Sequence, residues 1–310
     1  MIQVENLVKK YGAKRAVDGI SFSVNRGELF GLLGPNGAGK TTTISVLSTL
    51  LPANGGRAVI GGCDVATAAA AVRRLIGIVP QEIALYTDLS ARDNLKFWGR
   101  VFGLGGKALA ARTEELLEMV DLTESANQKV STYSGGMKRR LNLGVGLIHS
   151  PEVLFLDEPT VGIDAQARSR LLGLISQLRD QGLTVVYTTH YLEEAEQLCD
   201  RIGVIDQGRM VALGDKEELI SQIGDEDLIR LQVPEAHCAA FQAQCAAWED
   251  CLGTAPRRGK IEVRTLDGGA LLPRIQTWLT ETGLPLTQLE VERPNLETLY
   301  LNLTGKGLRE

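Results

Sequence analysis

The feature that most constrains the fold of this chain is a glycine-rich run, Gly34–Thr41 (GPNGAGKT), set between two regular patterns. An apolar strand pattern, Leu29–Leu33, precedes it, and a helical pattern, Lys40–Leu51, follows. The run fits G-x-x-x-x-G-K-[S/T], and a strand before it with a helix after it is the context that this motif requires. Glycines let backbone amides curl toward an anion, and the helix N-terminus adds positive potential. The sequence therefore predicts a phosphate-binding loop, or P-loop.

The loop also supplies side chains suited to a nucleoside triphosphate. Lys40 can reach the β- and γ-phosphates, and the Thr41 hydroxyl can bind Mg²⁺. The candidate phosphate-binding residues are Gly34, Pro35, Asn36, Gly37, Ala38, Gly39, Lys40, Thr41 and Thr42.

A pair of carboxylates ends a second apolar strand pattern, Val153–Leu156. Asp157 is the candidate ligand of Mg²⁺, directly or through water. Glu158 points to the other side of the strand end, where it can accept a proton from an attacking water molecule. The alternative is an acidic pair that is simply solvated in a loop, and the nearby P-loop disfavours it.

A second candidate anion site precedes the helical pattern Gly135–Ile148. Ser134 can cap that helix, Gly135 and Gly136 permit close approach, and the basic run Lys138–Arg140 lies in its first turn. An ordinary serine-capped helix is the alternative. Two phosphate-binding helix starts so far apart in one chain suggest two subunits that enclose a shared nucleotide.

Composition excludes several other functions. The 310 residues carry 33 Lys and Arg against 38 Asp and Glu, a net charge of −5, so no basic excess favours nucleic acid or an anionic membrane.

The longest uncharged stretch, Thr41–Gly56, is broken by Pro52 and falls short of the ~20 apolar residues that a membrane-spanning helix needs. No secretory signal is visible, so we expect a cytoplasmic protein with reduced cysteines.

The pattern restarts after a helical stretch at Lys216–Ile223. Strand and helix signals from Leu228 to Glu292 follow the β-α-β-β-α-β order of a ferredoxin-like domain, with a closing helix at Leu296–Thr304. We therefore predict a first domain at 1–224, with a helical subdomain at about 82–150, and a second domain at 225–310. His237, Cys238, Cys245 and Cys251 lack the spacing of a zinc knuckle, and Cys238 and Cys245 fit the buried face of one helix.

With these motifs in hand, the sequence resembles the ATP-binding subunits of ABC transporters, from Ile2 to about Ile220. The family's motifs appear in order as Walker A at Gly34–Thr42, the Q-loop glutamine Gln81, the signature at Tyr133–Met137, Walker B at Val153–Glu158 and the switch histidine His190. The resemblance implies an α/β P-loop ABC-ATPase core with a helical subdomain, and the order of strands and helices after it predicts a small α+β, ferredoxin-like domain.

The resemblance also implies roles for individual residues. Tyr11 would stack on adenine, although a cross-strand aromatic pair is an alternative reading. Gln81 would contact Mg²⁺ and the attacking water, and His190 would hydrogen-bond the γ-phosphate. Ser134, with Gly135 and Gly136, would touch the γ-phosphate of a nucleotide held by a second, head-to-tail copy.

Departures from the usual motifs of the family indicate which branch of the family the sequence resembles. Tyr133 replaces the usual Leu of the signature, Met137 replaces Gln, and Val161–Asp164 replaces the SALD sequence that often follows Walker B. With the run Lys138–Leu141 and the closing segment Pro294–Gly305, these residues resemble the ABC-2-type export branch, which includes daunorubicin-resistance-like exporters.

The resemblance predicts an ATPase that drives a separate membrane permease and is held by it at the inner face of the membrane. Glu82–Arg100, rich in aromatic residues, is the candidate permease contact; an amphipathic helix packed inside the subdomain is the alternative. A soluble ABC-type ATPase acting on ribosomes or nucleic acid usually has two cassettes, basic extensions or long coiled coils, which this sequence lacks. A scaffold without turnover is disfavoured by Glu158 and His190.

Overall fold

A computed structural model of the chain describes residues 1–221, 226–257, 260–292, 295–296 and 298–300. The chain divides into two compact units, of which the first is Met1–Lys216 and the second begins at Glu217. The predicted domain boundary after residue 224 falls at 222–225, outside the described residues.

The first unit alternates strands and helices. Its strands are β1 (Ile2–Tyr11), β2 (Lys14–Val24), β3 (Leu29–Leu33), β4 (Gly55–Ile60), β5 (Cys63–Asp64), β6 (Ile76–Val79), β7 (Val153–Asp157), β8 (Thr184–Thr189), β9 (Arg201–Asp206) and β10 (Arg209–Gly214). Its helices are α1 (Lys40–Leu47), α2 (Ala69–Leu75), α3 (Ala91–Val101), α4 (Gly106–Met119), α5 (Gly135–Gly146), α6 (Ala165–Asp180) and α7 (Leu192–Leu198). A short 3₁₀ turn covers Val130–Thr132, and α8 (Lys216–Ser221) begins at the end of this unit.

A six-stranded sheet in the order β10-β9-β3-β8-β7-β6 forms the centre of the first unit. Only β10 pairs antiparallel; the other neighbours are parallel. Every residue of β3 and β7 is buried, as expected for strands that are covered on both faces. The predicted α/β core is confirmed, and the carboxyl ends of β3 and β7 place the P-loop and Asp157 at the same edge.

A second, antiparallel sheet, β2-β1-β4-β5, packs its apolar face into the core cluster that includes Ile2, Leu7 and Phe30. Bulges near Asn6, which has a φ of 46°, interrupt the alternation of buried and exposed residues along β1.

Helix α1 is shorter than the pattern predicted. It ends at Leu47 rather than Leu51, because Thr49 adopts a left-handed conformation with a φ of 65° and Pro52 cannot continue a helix.

Helices α3, α4 and α5 form the helical subdomain, whose core includes Leu95, Leu116 and Leu141. Tyr133 explains one departure from the family signature. Its ring is buried in this core, and its hydroxyl donates to the carbonyl oxygen of Ser125 at 2.7 Å. The larger side chain therefore belongs to the packing of the subdomain.

The second unit has the predicted β-α-β-β-α-β order. Its elements are β11 (Asp227–Leu231), α9 (Glu235–Ala246), β12 (Cys251–Arg257), β13 (Lys260–Thr265), α10 (Gly268–Glu281) and β14 (Leu289–Glu292). The strands form an antiparallel sheet in the order β12-β13-β11-β14. Residues 296 and 298–300 are helical, and the rest of the predicted closing helix lies outside the described residues.

The cysteines of α9 follow the predicted face. Cys245 is fully buried beside Phe241, and Cys238 packs against the same core. Burial, and then the neighbouring Cys251, raise the pKa of the Cys245 thiol to about 12, so this thiol is inert at neutral pH.

Among the described residues, no helix is both long enough and apolar enough to cross a bilayer.

Candidate active site

The P-loop leaves β3 along a path that only glycine fits at two positions. A Cβ at Gly34 would lie 2.2 Å from the carbonyl oxygen of Ile205, and one at Gly39 would lie 2.5 Å from that of Ala16. Gly39 also has a φ of 110°, and Gly37 has a φ of 80°. Close approach of neighbouring backbone therefore explains why glycine is needed here.

A cavity of about 450 Å³ opens beside the loop. No side chain caps α1, so the free N–H groups of its first turn can serve an anion. The cavity is lined by Tyr11, Lys14, Ala16, Asn36, Gly37, Gly39, Lys40, Thr41, Thr42, Gln81 and Glu158. Its volume and donors fit a nucleotide, whereas the remaining P-loop residues, Gly34, Pro35 and Ala38, do not line it.

Lys40 is buried at the centre of the site. Its Nζ donates to the carbonyl oxygens of Gly34 at 2.6 Å and Pro35 at 2.9 Å. The same Nζ lies 2.9 Å from Glu158 Oε1, and both side chains are almost fully buried. This ion pair between the P-loop and the end of β7 was not foreseen from the sequence.

The Glu158 carboxylate is where the three predicted catalytic residues meet. Gln81 Nε2 lies 3.4 Å from Glu158 Oε2, and His190 Nδ1 lies 3.2 Å from the same oxygen. Glu158 turns off β7 with a φ of 43°, and its amide donates to Thr188 Oγ1 at 3.0 Å. Tertiary structure thus brings together residues that follow the ends of β6, β7 and β8.

The candidate Mg²⁺ ligands are partly assembled. Thr41 and Gln81 line the cavity, whereas Asp157 lies buried at the end of β7 and does not line it. Asp157 Oδ1 accepts a hydrogen bond from Thr188 Oγ1 at 2.6 Å. A hydroxyl, an amide oxygen and a carboxylate form the kind of oxygen donor set that suits a hard cation.

Tyr11 stands at the mouth of the cavity, with half of its surface exposed. Its cross-strand neighbour is Lys14, so Tyr11 does not form the aromatic pair that was the alternative interpretation. Lys9 Nζ lies 5.6 Å from the centre of the Tyr11 ring. An aromatic ring of this kind can stack on a planar base.

His190 lies in a loop that a buried carboxylate, that of Glu194, holds in place. Glu194 is buried and its Oε2 accepts hydrogen bonds from the Tyr187 hydroxyl at 2.7 Å and from Thr189 Oγ1 at 2.8 Å. Burial, and then Glu194, raise the pKa of Tyr187 well above its ordinary value. The sequence does not predict this role, because Glu194 lies among other glutamates, Glu193 and Glu196, in α7.

The signature residues lie apart from this cavity. Ser134 caps α5 by accepting a hydrogen bond from the Met137 amide at 3.2 Å, and Ser134 and Gly135 are exposed. Gly136 is buried, and a Cβ there would lie 2.5 Å from the Cβ of Ala167. Ser134–Gly136 contribute nothing to the lining of the P-loop cavity in the same chain.

The arginines after the signature face inward. Arg139 donates to the carbonyl oxygens of Gln81 and Val161, and Arg140 donates to those of Val120 and Asp121. Both are buried. The interpretation that they serve an anion at the start of α5 is therefore wrong, because backbone carbonyls occupy their donors.

The segment Glu82–Arg100 contains a loop and most of α3, and it exposes aromatic surface. Tyr86 is 47% exposed and Phe97 39%, and their rings meet edge to face at 4.8 Å. Trp98 instead packs against the core of the subdomain, so the alternative reading holds for this residue. We call the exposed residues Tyr86, Leu89 and Phe97 of this segment the α3 patch.

Comparisons with known proteins agree with this geometry. The family model described as "ABC transporter" matches residues 17–161. The chain is 47% identical, over the full length of both proteins, to the linearmycin resistance ATP-binding protein LnrL of Bacillus subtilis (strain 168). It is 42% identical to the daunorubicin resistance ATP-binding protein DrrA3 of Streptomyces coeruleorubidus, over 99% of this chain and 97% of that protein. It is 40% identical to the Nod factor export ATP-binding protein I of Burkholderia orbicola (strain AU 1054), over 100% and 98%.

Solved structures share the fold of the first unit. A dimeric ATP-binding cassette bound to ADP and Pi in a post-hydrolysis state aligns with a TM-score of 0.63 and 26% identity, over 69% of this chain and 98% of that one. An ATP-binding subunit of an ABC transporter aligns with a TM-score of 0.66 and 28% identity, over 72% and 93%.

Proposed function

This chain belongs to the ABC transporter family, and from that membership we propose that it binds and hydrolyses ATP to power a separate permease of the ABC-2 export type. Relatives named for drug resistance and for Nod factor export match it along nearly its whole length. The alternative, an ABC-type ATPase acting on ribosomes or nucleic acid, gains no support from these names or from the net charge of −5.

The observation that carries the proposal is the Glu158 carboxylate, which Lys40, Gln81 and His190 all approach beside the P-loop cavity. Glu158 accepts the proton of the attacking water. Gln81 orients that water, and His190 donates a hydrogen bond toward the γ-phosphate. Lys40 neutralises phosphate charge.

Metal binding completes the site. Thr41, Gln81 and Asp157 would hold Mg²⁺, which supplies charge neutralisation at the transferred phosphoryl group when bound. Tyr11 stacks on the adenine at the mouth of the cavity. The P-loop amides of 37–42 hold the phosphates.

A second copy of the chain supplies the rest. Ser134 and Gly135 are exposed and do not line the cavity of their own chain. In a head-to-tail dimer, Ser134, Gly135 and Gly136 of one copy contact the γ-phosphate held by the other. The dimeric cassette that shares this fold supports such an arrangement.

The permease docks on the α3 patch, at the inner face of the membrane. Exposed aromatic residues are typical of interface centres. A double variant, Tyr86→Ala with Phe97→Ala, spares the partly buried Trp98 and should lose transport while the ATPase activity of the isolated subunit persists. Full transport by that variant would place the contact elsewhere.

The test of the proposed function is Glu158→Gln, which keeps the shape of the side chain but cannot take a proton. We expect turnover to fall by about 10² to 10⁴-fold, with ATP binding retained and a stable dimer formed when ATP is present. The measurements are steady-state phosphate release, ATP binding and size-exclusion chromatography. Glu193→Gln, at an exposed position of α7, is the matched control and should behave as wild type. Wild-type turnover in Glu158→Gln would refute the assignment.

A further inference from the structure

Arg139 connects two segments of the active site that are distant in sequence. From the first turns of α5, its Nη1 donates to the carbonyl oxygen of Gln81, and its Nη2 donates to that of Val161 at 2.9 Å. The side chain is 7% exposed. One planar guanidinium therefore sets the spacing between the main chain at Gln81 and the turn after Glu158.

Stability alone gives little reason for this arrangement. Burial lowers the pKa of the Arg139 guanidinium, but an arginine stays protonated in proteins. In the described part of the chain, no carboxylate forms an ion pair with it; its contacts are two neutral carbonyls. A buried cation without a counter-ion is costly, and hydrogen bonds to two neutral carbonyls offset only part of that cost.

Both carbonyls belong to residues next to the reacting groups. The Gln81 side chain, on the same residue whose carbonyl Arg139 holds, lies 3.4 Å from Glu158. Val161 belongs to the turn that Glu158 begins, since the Val161 amide donates to the Glu158 carbonyl at 3.3 Å. Through these main-chain contacts, Arg139 constrains the position of the Gln81 side-chain amide relative to the Glu158 carboxylate.

The helix that carries Arg139 is itself fixed against this turn. Gly136 approaches Ala167, and Gly135 lies within van der Waals reach of Ile163, so a methyl group at 135 would lie 3.6 Å from Ile163 Cγ2. The start of α5 and the segment after Glu158 therefore pack closely. The contact of Arg139 with the Gln81 carbonyl extends this packing to the loop after β6.

We infer that Arg139 is a positioning residue for ATP hydrolysis, which acts by holding the Gln81 main chain at a fixed distance from the Glu158 turn. The inference rests on the proposed function and deepens it, because it names what sets the geometry of Gln81. Misplacement of a reacting group by about 1 Å can cost about 10²-fold in rate.

The experiment is Arg139→Gln in the full-length chain, with Arg140→Gln as the matched control. Arg140 is the adjacent buried arginine of α5, but its carbonyl partners, Val120 and Asp121, lie inside the helical subdomain. For Arg139→Gln we expect kcat to fall by about 10- to 100-fold and the affinity for ATP to change by less than about twofold. For Arg140→Gln, kcat should stay within about twofold, although the melting temperature falls.

A double-mutant cycle separates positioning from a structural role. If Arg139 acts through the Gln81 side chain, Arg139→Gln should reduce kcat by no more than about twofold in a Gln81→Ala background. Additive losses, or an unchanged kcat in Arg139→Gln, would overturn the inference. Arg139→Lys carries the same test if Arg139→Gln does not fold, because it keeps the charge but replaces the planar fork, whose two nitrogens each donate to one carbonyl, with a single nitrogen on a different stem.

The outcomes also separate this inference from the proposed function. If Glu158→Gln loses turnover and Arg139→Gln keeps full turnover, the positioning role of Arg139 is rejected and the proposed function stands. Full turnover in Glu158→Gln rejects the proposed function itself.

Discussion

Two helix starts in the first unit look alike in sequence and differ in structure. Helix α1 begins at Gly39 without a side-chain cap, beside a buried lysine, Lys40. Helix α5 begins at Ser134, whose hydroxyl caps it, and its arginines point into the protein. One start faces a cavity in its own chain, and the other faces outward.

The difference shows how a site can be divided between two copies of a chain. At α1, free amides and the Lys40 ammonium supply positive charge, and Glu158 balances that ammonium within the chain. At α5, exposed Ser134 and Gly135 offer short polar groups without the two arginines. Under the proposed function, the first start holds an anion, and the second adds contacts to one that is held by the other copy.

Of the variants that test this comparison, Lys40→Ala should have the largest effect, which is on ATP affinity. Removal of a charged contact to phosphate should weaken ATP binding by about 10- to 100-fold, the equivalent of a charge-assisted hydrogen bond of about 1.5–3 kcal/mol. Titration with a fluorescent ATP analogue measures it. Lys138→Ala, a lysine in the first turns of α5, is the control and should leave affinity unchanged. Equal affinities in both variants would show that α1 does not hold the phosphates.

A sharper test of the second helix start is Gly135→Ala. The added methyl has room in the monomer, 3.6 Å from Ile163, so the fold should be kept. If a second copy brings its nucleotide against Gly135, the methyl should obstruct it and lower turnover by about tenfold, with ATP binding by the monomer unchanged.

The control is Gly173→Ala on α6, where a methyl would meet nothing within 4 Å. Wild-type turnover and wild-type dimerisation in Gly135→Ala would show that the start of α5 does not approach a nucleotide.

The smallest effect concerns His149, just beyond the other end of α5. Its ring stacks on Phe102 at 3.8 Å, and its Nε2 lies 2.9 Å from the carbonyl oxygen of Ile76. Burial lowers the pKa of His149 below its usual 6.5, so the unfolded chain binds a proton more readily. This contribution to stability is therefore present above about pH 6.5 and is lost as the pH falls toward the folded-state pKa.

Urea denaturation of wild type and His149→Gln at several pH values measures this contribution. The loss of stability between pH 7 and pH 5 should be smaller in His149→Gln than in wild type. An identical pH dependence would show that His149 carries no such linkage.

Local patterns were enough to predict much of the fold. The strand, glycine run and helix around Lys40 are contiguous in the chain, so their spacing alone indicates a P-loop. The end of β7 was read in the same way, from an apolar run followed by Asp157 and Glu158. Bulges break the alternation along β1, and α1 ends early because of Thr49. Short-range irregularities of the backbone leave little trace in hydrophobic periodicity.

The sequence by itself determined which chemical groups this protein has: a P-loop lysine, a carboxylate pair, a glutamine, a histidine and a serine-glycine signature, in a recognisable order. Only the tertiary structure decided which of them meet. Lys40 and Glu158 form a buried pair because β3 and β7 end at the same edge of one sheet. Arg139 and Arg140 are neighbours in sequence, yet successive residues of a helix point about 100° apart, so packing sent one to Gln81 and the other into the helical subdomain.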